Sequence, residues 1–282
     1  MQRILSTYLF VNRKLTSELV GEAARAGASA IELFCSRGHF DYRSGDDAHE
    51  LAAWLAGNNL ALHSIHSPTT RDFHLTRESG APLSLCDPER LRRQEAVDEI
   101  KRALDLVEHI PFQYCVQHVA RHRDMPDERK WDAAFSSLEH LSLFARARGV
   151  TLAIENTPGE MATPANLKAF LERTRLTNVK LCFDIGHAHL QGGVPEALEI
   201  VRDLVITTHT HDNGGERDDH LLPYGGSIDW SITLAGLPPE APMVLELKEP
   251  AAALGSIELQ AYSETLKGVR TVFDKFDKER AS

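Results

Sequence analysis

Residues 179–190 read VKLCFDIGHAHL, an apolar alternation through Val179, Leu181 and Phe183 that ends on Asp184, with His187 three residues further on. Such an alternation marks a strand, so the acid stands at the strand's C-terminal tip and the imidazole at the start of the turn behind Gly186. A hard carboxylate oxygen beside a borderline imidazole nitrogen suits Mn, Zn, Co or Fe rather than Ca. An isolated Asp-x-x-His also occurs in hydrogen-bonded turns. What decides between the two is whether other apolar runs in the chain end the same way.

They do, and the elements around them explain how such ends could meet. Strand-like runs are predicted at Arg3–Phe10, Ala30–Cys35, Leu60–Ser67, Gln113–Val119, Val150–Asn156, Val179–Asp184, Leu204–His211 and Met243–Lys248. Helices are predicted between and after them at Thr16–Ala26, Gly45–Ala56, Pro88–His109, Asp127–Arg148, Pro164–Arg173, Pro195–Asp203, Asp229–Leu234 and Ser256–Phe273. Their starts carry Ser, Thr or Asp caps or an early proline, and several end at glycine. On the third strand, strict alternation puts Leu62, Ser64 and His66 on one face and His63 on the other.

Eight strands alternating with eight helices, with no composition break, predict a single-domain α/β protein spanning residues 1–282, a (β/α)8 TIM barrel. The length of 282 residues suits it, since such barrels need roughly 250. A doubly wound sheet would call for a glycine-rich phosphate loop after the first strand, and the sequence has none there.

A barrel brings the C-terminal ends of all its strands to one face. The polar residues at those ends are His66, His118, Glu155, Asp184 with His187, His209 and Glu246. The long loop after the seventh strand, HDNGGERDDHLLPYGG, adds Asp218 and His220, and its glycines let the backbone fold back over the barrel mouth. Read alone, that loop is also what a solvated lid looks like.

Composition narrows the partners. With 41 acidic against 31 basic residues the net charge is −10, so no basic excess advertises a nucleic-acid footprint. No apolar run of about 18 residues marks a membrane span, and the N-terminus lacks the pattern of a signal peptide. The four cysteines, Cys35, Cys86, Cys115 and Cys182, show no C-x-x-C spacing, which fits buried thiols in a reducing, cytoplasmic compartment.

These residues carry a resemblance. HSP at His66, IENTPG at Glu155, CFDIGHAH at Asp184 and His187, HTHDN at His209, DDHLLPYGGSIDW at His220 and LELK at Glu246 resemble the xylose-isomerase-like, AP-endonuclease-family-2 barrels. That group holds sugar isomerases, ketose 3-epimerases, inosose and hydroxypyruvate-type enzymes, and abasic-site endonucleases of the endonuclease IV type. The epimerase pattern implies that Glu155, Asp184, His209 and Glu246 ligate one catalytic divalent ion (Mn, Zn, Co, Mg or Fe), with His187 beside it. The endonuclease pattern implies that His66, His118, Asp218 and His220 join in a two- or three-metal cluster. Matching residue types do not separate the two. The flanks help more, because where the endonucleases have their own segments this chain reads VARH, PGEM and NGGE, while HLLPYGGSIDW is close to the sugar-enzyme form, with Tyr224 in place of its first glycine.

The chemistry so implied is proton transfer beside a carbonyl. A divalent ion spreads the enediolate charge, and Glu155 and Glu246, from the fifth and eighth strands, act as the catalytic carboxylates that take and return the proton. The expected activity is isomerisation or epimerisation of a small sugar, sugar phosphate or polyol, with association between copies of the chain left open. Two other readings stand beside this one, an abasic-site endonuclease and a barrel that binds a sugar without turnover. Elsewhere, Glu32 reads as a structural ion-pair partner, Arg217 as solvated, and Tyr8, Phe34 and Trp230 as either pocket walls or core. His74, His109, His122 and His140 carry no chemistry in this reading.

Overall fold

The computed structural model describes residues 2–70, 82–250 and 259–280. Eight strands form a closed parallel barrel in sequence order: β1 (Arg3–Ser6), β2 (Ala30–Phe34), β3 (Ala61–His66), β4 (Tyr114–His118), β5 (Thr151–Glu155), β6 (Val179–Asp184), β7 (Val205–Thr210) and β8 (Met243–Leu245). β8 pairs back onto β1 through Ile4 and Val244, which closes the ring and leaves no edge. The helices are α1 (Ser17–Arg25), α2 (Gly45–Gly57), α3 (Arg90–Leu104), α4 (Glu128–Arg146), α5 (Pro164–Thr174), α6 (Ile185–Leu190), α7 (Val194–Val201), α8 (Trp230–Gly236) and α9 (Ser263–Arg280). The side chains of Thr16, Ser44, Asp127, Thr163 and Asp229 accept a hydrogen bond from a backbone N–H in the first turn of α1, α2, α4, α5 and α8, as N-caps do.

Alternation along each strand sorts the side chains. Leu33, Ile65, Cys115, Leu152, Ile154, Leu181 and Phe183 join the large apolar core between sheet and helices. Their neighbours fill the barrel's interior, where Ile4, Ala30 and Val244 form one small cluster and Val116, Ala153 and Cys182 another. All four cysteines are free and buried.

Several expectations are corrected. The first strand stops at Ser6, and Thr7–Phe10 turns into a short 3-10 helix begun by the Ser6 hydroxyl. The β-rich composition of that stretch reflects burial of Tyr8, Leu9 and Phe10 rather than sheet pairing. The eighth strand is similarly short, ending at Leu245 rather than Lys248. The third helix ends at Leu104 and continues as a 3-10 turn to Glu108. Directly behind Asp184 sits α6, an extra short helix that periodicity does not reveal. The last helix runs Ser263–Arg280; the predicted start at Ser256 lies outside the described residues, as does His74.

The third strand also breaks strict alternation. Between β2 and β3 the register steps from Ile31↔Leu62 to Glu32↔Ser64, so His63 is the extra residue of a bulge. Leu62 therefore packs in the outer core. Ser64 turns inward to donate to Glu32, and His63 reaches across the barrel to Thr207 on the opposite strand at 3.4 Å. His63 does not lie between strand and helix as alternation alone requires.

Candidate metal centre

The C-terminal mouth of the barrel collects the ionisable residues singled out above. Glu155 and Asp184 are the final residues of β5 and β6, His66 and His118 those of β3 and β4, and His209 is the penultimate residue of β7. Glu246 follows β8 directly, and its backbone N–H donates to Thr210. His187 comes from the first turn of α6, whose N-cap is Asp184 itself, the carboxylate accepting from the His187 N–H at 2.7 Å. One residue thus both caps the helix and faces the centre.

Three groups of ligand-type atoms result, each within 4.8 Å of mutual separation: Glu155, Asp184, His209 and Glu246; His66, His118 and Glu155; and His187, His211, Asp218 and His220. In the first, His209 Nδ1 lies 3.3 Å from Glu155, 3.3 Å from Glu246 and 3.8 Å from Asp184, yet it has no hydrogen-bond partner. In the second, the His118 Nε2 is 3.2 Å from both His66 Nε2 and Glu155 Oε2. In the third, Asp218 Oδ2 lies 3.3 Å from His187 Nε2 and 3.1 Å from His220 Nε2. Glu155 belongs to two groups, and His66, His118, His187 and His209 all approach it within 3.4 Å.

The histidines are held from behind. His66 Nδ1 donates to Ser67 O at 2.9 Å, His187 Nδ1 to Asn156 O at 2.9 Å and His220 Nδ1 to Glu246 O at 2.8 Å. His209 Nε2 is fixed by the Glu32 carboxylate at 3.1 Å. An imidazole whose second nitrogen is tied to a carbonyl or carboxylate is the arrangement that orients metal-ligating histidines. Glu32 is therefore a buried ion-pair partner, as its position on the second strand suggests. Asn156 performs the same service for Asp184, accepting from its N–H and donating to its C=O, each at 2.9 Å.

The electrostatics fit a cation. Burial by itself would raise the Glu155 carboxyl, but the charges of His118 and His209 and hydrogen bonds from His118 and His187 outweigh it and hold it well below the usual range. Asp184, likewise buried, is lowered by His187 and His211, and Asp218 is pushed far down by His187 and His220 against its own burial. Conversely, His187 is raised well above its usual value despite burial, chiefly by Asp184, and His209 by Cys182, Glu32, Glu246 and Glu155. Buried carboxylates this concentrated need compensating positive charge. Among the described residues imidazolium protons supply it in the absence of an ion, and an unpartnered Nδ1 between three carboxylates is a poor substitute for a divalent metal.

The loop after β7 is not a free lid. Asp212 accepts from the N–H groups of Asn213 and Ile228 and from Trp230 Nε1, and pairs with Leu221 through two backbone hydrogen bonds of 2.8 Å. This folds Asp218 and His220 back over the mouth. Tyr224, where glycine is the family's residue, has φ +70°, the left-handed region that glycine adopts without cost. Its ring packs on Trp230 and Phe276 beneath Lys275, which anchors the strained turn.

Other expectations sort cleanly. Phe34 stacks on His66 at 4.6 Å and Tyr8 lies 5.2 Å from His220, so both wall the centre. Trp230 is core, and Arg217 is 83% exposed. The residue that sequence reasoning missed is His211, whose Nε2 approaches Asp184 at 3.1 Å and whose ring stacks on His220 at 3.9 Å. The period of two from His209 was the signal for it. Gly186 makes room for that ring, since a Cβ there would overlap it.

A cavity of about 980 Å³ opens beside the centre, walled by His118, His187 and Asp218 and by the loops behind β4, β5 and β6. No helix among the described residues is long and apolar enough to cross a membrane.

Known proteins share this architecture. The crystal structure of a D-tagatose 3-epimerase-like protein superposes with a TM-score of 0.76 over 99% of both chains at 20% identity. The IOLI protein with a binding zinc atom does so at 0.73 over 99% of this chain and 98% of that one, at 16% identity. In sequence, the uncharacterized protein y4fM of Sinorhizobium fredii is 31% identical over 203 residues, 64% of each chain, so the match spans just under two thirds of that relative's length. The sequence profile of the xylose isomerase-like TIM barrel family matches residues 20–263, and the chain belongs to that family.

Proposed function

We propose that this protein is a divalent-metal-dependent isomerase or epimerase of a sugar or polyol, working through an enediolate. The observation that carries the reading is His209 Nδ1, buried, without a hydrogen-bond partner and surrounded by Glu155, Asp184 and Glu246. A cavity walled by His118 and His187, which touch Glu155, lies beside this ligand set, as suits a catalytic rather than a closed structural site. Solved structures of the same fold include one described as D-tagatose 3-epimerase-like and one with bound zinc, which supports both the chemistry and the metal.

A divalent ion in this set supplies Lewis acidity toward a carbonyl and its neighbouring hydroxyl. The chain's own residues do the rest. Glu32 holds His209 in one orientation, and Asn156 holds Asp184. Glu155 and Glu246 face the same centre from β5 and from behind β8, so one carboxylate takes the carbon-bound proton and the other returns it. Glu246 is the freer of the two for this work, because four histidines crowd Glu155. His187 and His118 line the cavity and orient substrate hydroxyls. The buried free thiols accord with a reducing, cytoplasmic setting.

Deuterium exchange from solvent into ketoses and inososes tests this directly. Glu246→Gln is expected to keep the fold while losing exchange by roughly 10²–10⁴-fold, the usual weight of a general base. A second reading has its own observation: Glu155 shared between two ligand groups, with a third beside them, suits multi-metal phosphodiester hydrolysis. Chelator-sensitive nicking of abasic-site DNA, with no exchange into any sugar, would replace the first reading with the second. The net charge of −10 weighs against it.

A further inference from the structure

We infer that the cavity beside the metal centre reads a terminal oxyanion, so that the substrate is an acidic sugar, with Arg121 recognising the charge and Arg217 joining it from across the cavity. The acidic sugar is the substrate class of the site described above and rests on the isomerase reading of it.

Arg121 lies just behind β4 and lines the cavity. The chain fixes it from the far side. The Asp124 carboxylate accepts from the Arg121 backbone N–H at 2.9 Å and from its Nε at 3.3 Å, while the Asp124 N–H donates back to Arg121 O at 2.9 Å. The turn so made is braced by the loop behind β5, where His122 Nδ1 donates to Pro158 O and a Cβ on Gly159 would press into the His122 carbonyl. Of the five N–H donors on a guanidinium, Nε is spent, and the two terminal amino groups have no partner among the described residues. A planar fork presented in this way matches the paired oxygens of a carboxylate or a phosphate.

The charge balance points the same way. Asp124 is 6% exposed and already holds Lys130 Nζ at 2.9 Å. One buried carboxylate therefore meets two cations, and a positive charge is left over where Arg121 borders the cavity. Arg217 adds another from the loop behind β7. Its backbone is held by its neighbour Asp218, which His187 and His220 fix. Its Nε lies 3.9 Å from Asp219, beyond hydrogen-bond reach, and the side chain is mostly in solvent, able to close on a ligand. Glu160 and Glu216 also line the cavity, yet neither pairs with these arginines. Because His118, His187 and Asp218 belong both to the cavity wall and to the ligand groups, one molecule can place its carbonyl at the centre and its oxyanion at the arginines. A volume of about 980 Å³ accommodates such a molecule.

Titration calorimetry on protein purified without chelator tests this with sorbitol, gluconate and sorbitol 6-phosphate, which share one six-carbon chain. At least one of the two anions is expected to bind roughly tenfold or more tightly than sorbitol, and the one that does identifies carboxylate or phosphate as the group read. Arg121→Gln is expected to erase that advantage with the thermal unfolding midpoint unchanged. Arg217→Gln is expected to reduce it about threefold, as an exposed charge does, and it decides the matter should Arg121→Gln lower the midpoint. Arg25→Gln, the same loss of charge at the C-terminal end of α1, is expected to leave it intact. No advantage for either anion, an advantage that survives Arg121→Gln because the metal itself takes the oxyanion, or an equal loss in Arg25→Gln overturns the clamp. Solvent deuterium entering neutral ketoses as fast as their acidic counterparts also overturns it while keeping the isomerase. The anion advantage without exchange into any ketose keeps the clamp and overturns the isomerase reading instead.

Discussion

Along the inner wall of the barrel, a step of two residues separates an apolar floor from an ionisable mouth. Ala30 is followed by Glu32, Val116 by His118, Ala153 by Glu155, Cys182 by Asp184 and Val244 by Glu246. The strands are the same, all but His118 are buried alike, and the chemistry is opposite. The floor is packed and dry, with Val116, Ala153 and Cys182 in contact. The mouth holds carboxylates and imidazoles that neutralise one another. Charge is tolerated in this interior only where opposite charge or a cation meets it, and the strand period fixes the layer at which that happens.

The comparison breaks most completely if a charge is moved down one layer. Ala153→Asp places a carboxylate two residues below Glu155 with no partner, and the expected loss is on the order of 3–5 kcal/mol, read from the urea midpoint. Retention of wild-type stability would mean that the floor is wetter than its packing implies.

A smaller effect tests how the mouth is supported. Glu32→Gln keeps the shape behind His209 but removes the charge that orients and polarises it. Metal affinity is expected to fall about 10–100-fold in a chelator competition, the usual weight of such a partner. Stripping the metal with chelator should itself lower the thermal midpoint and take up protons as His187 and His209 recharge.

An effect that is small over any one pH unit sharpens the boundary between the two layers. His63, reaching across to Thr207, is kept neutral by burial, its imidazole lowered to about 4 from 6.5. Between those values the unfolded chain binds a proton that the folded chain refuses, so stability falls as pH drops from 6.5 toward 4. The slope is about 1.4 kcal/mol per pH unit for the one group. Subtracting the profile of His63→Gln from that of the wild type, by urea unfolding at several pH values, isolates it. A flat difference would show that His63 charges freely inside the barrel.

Much of this was legible beforehand for a geometric reason. In a closed parallel barrel, knowing where each strand ends is enough to know that Glu155, Asp184, His209 and Glu246 meet. What could not be read depends on neighbouring chain rather than local pattern. The bulge at His63 exists only relative to the register of β2, and alternation within one strand carries no trace of it. α6 is six residues long, too short for helical periodicity to register, and its start depends on Asp184 capping it from the end of β6. His211 lies just past the end of β7, and its place in the third group required knowing that the loop returns with Asp218 and His220.

That return is governed by Asp212. Its carboxylate joins the start of the loop to Ile228 and Trp230, sixteen residues and more along the chain, and so carries the loop-closure entropy as part of folding the barrel. Asp218 and His220 are then held in place by the protein itself, and an ion bound there as proposed would not need to order any chain. Zinc fingers work in the reverse sense, with metal affinity and folding free energy being one quantity. In the proposed metalloenzyme the two would be separable, and ions would exchange at the mouth without the barrel unfolding around them.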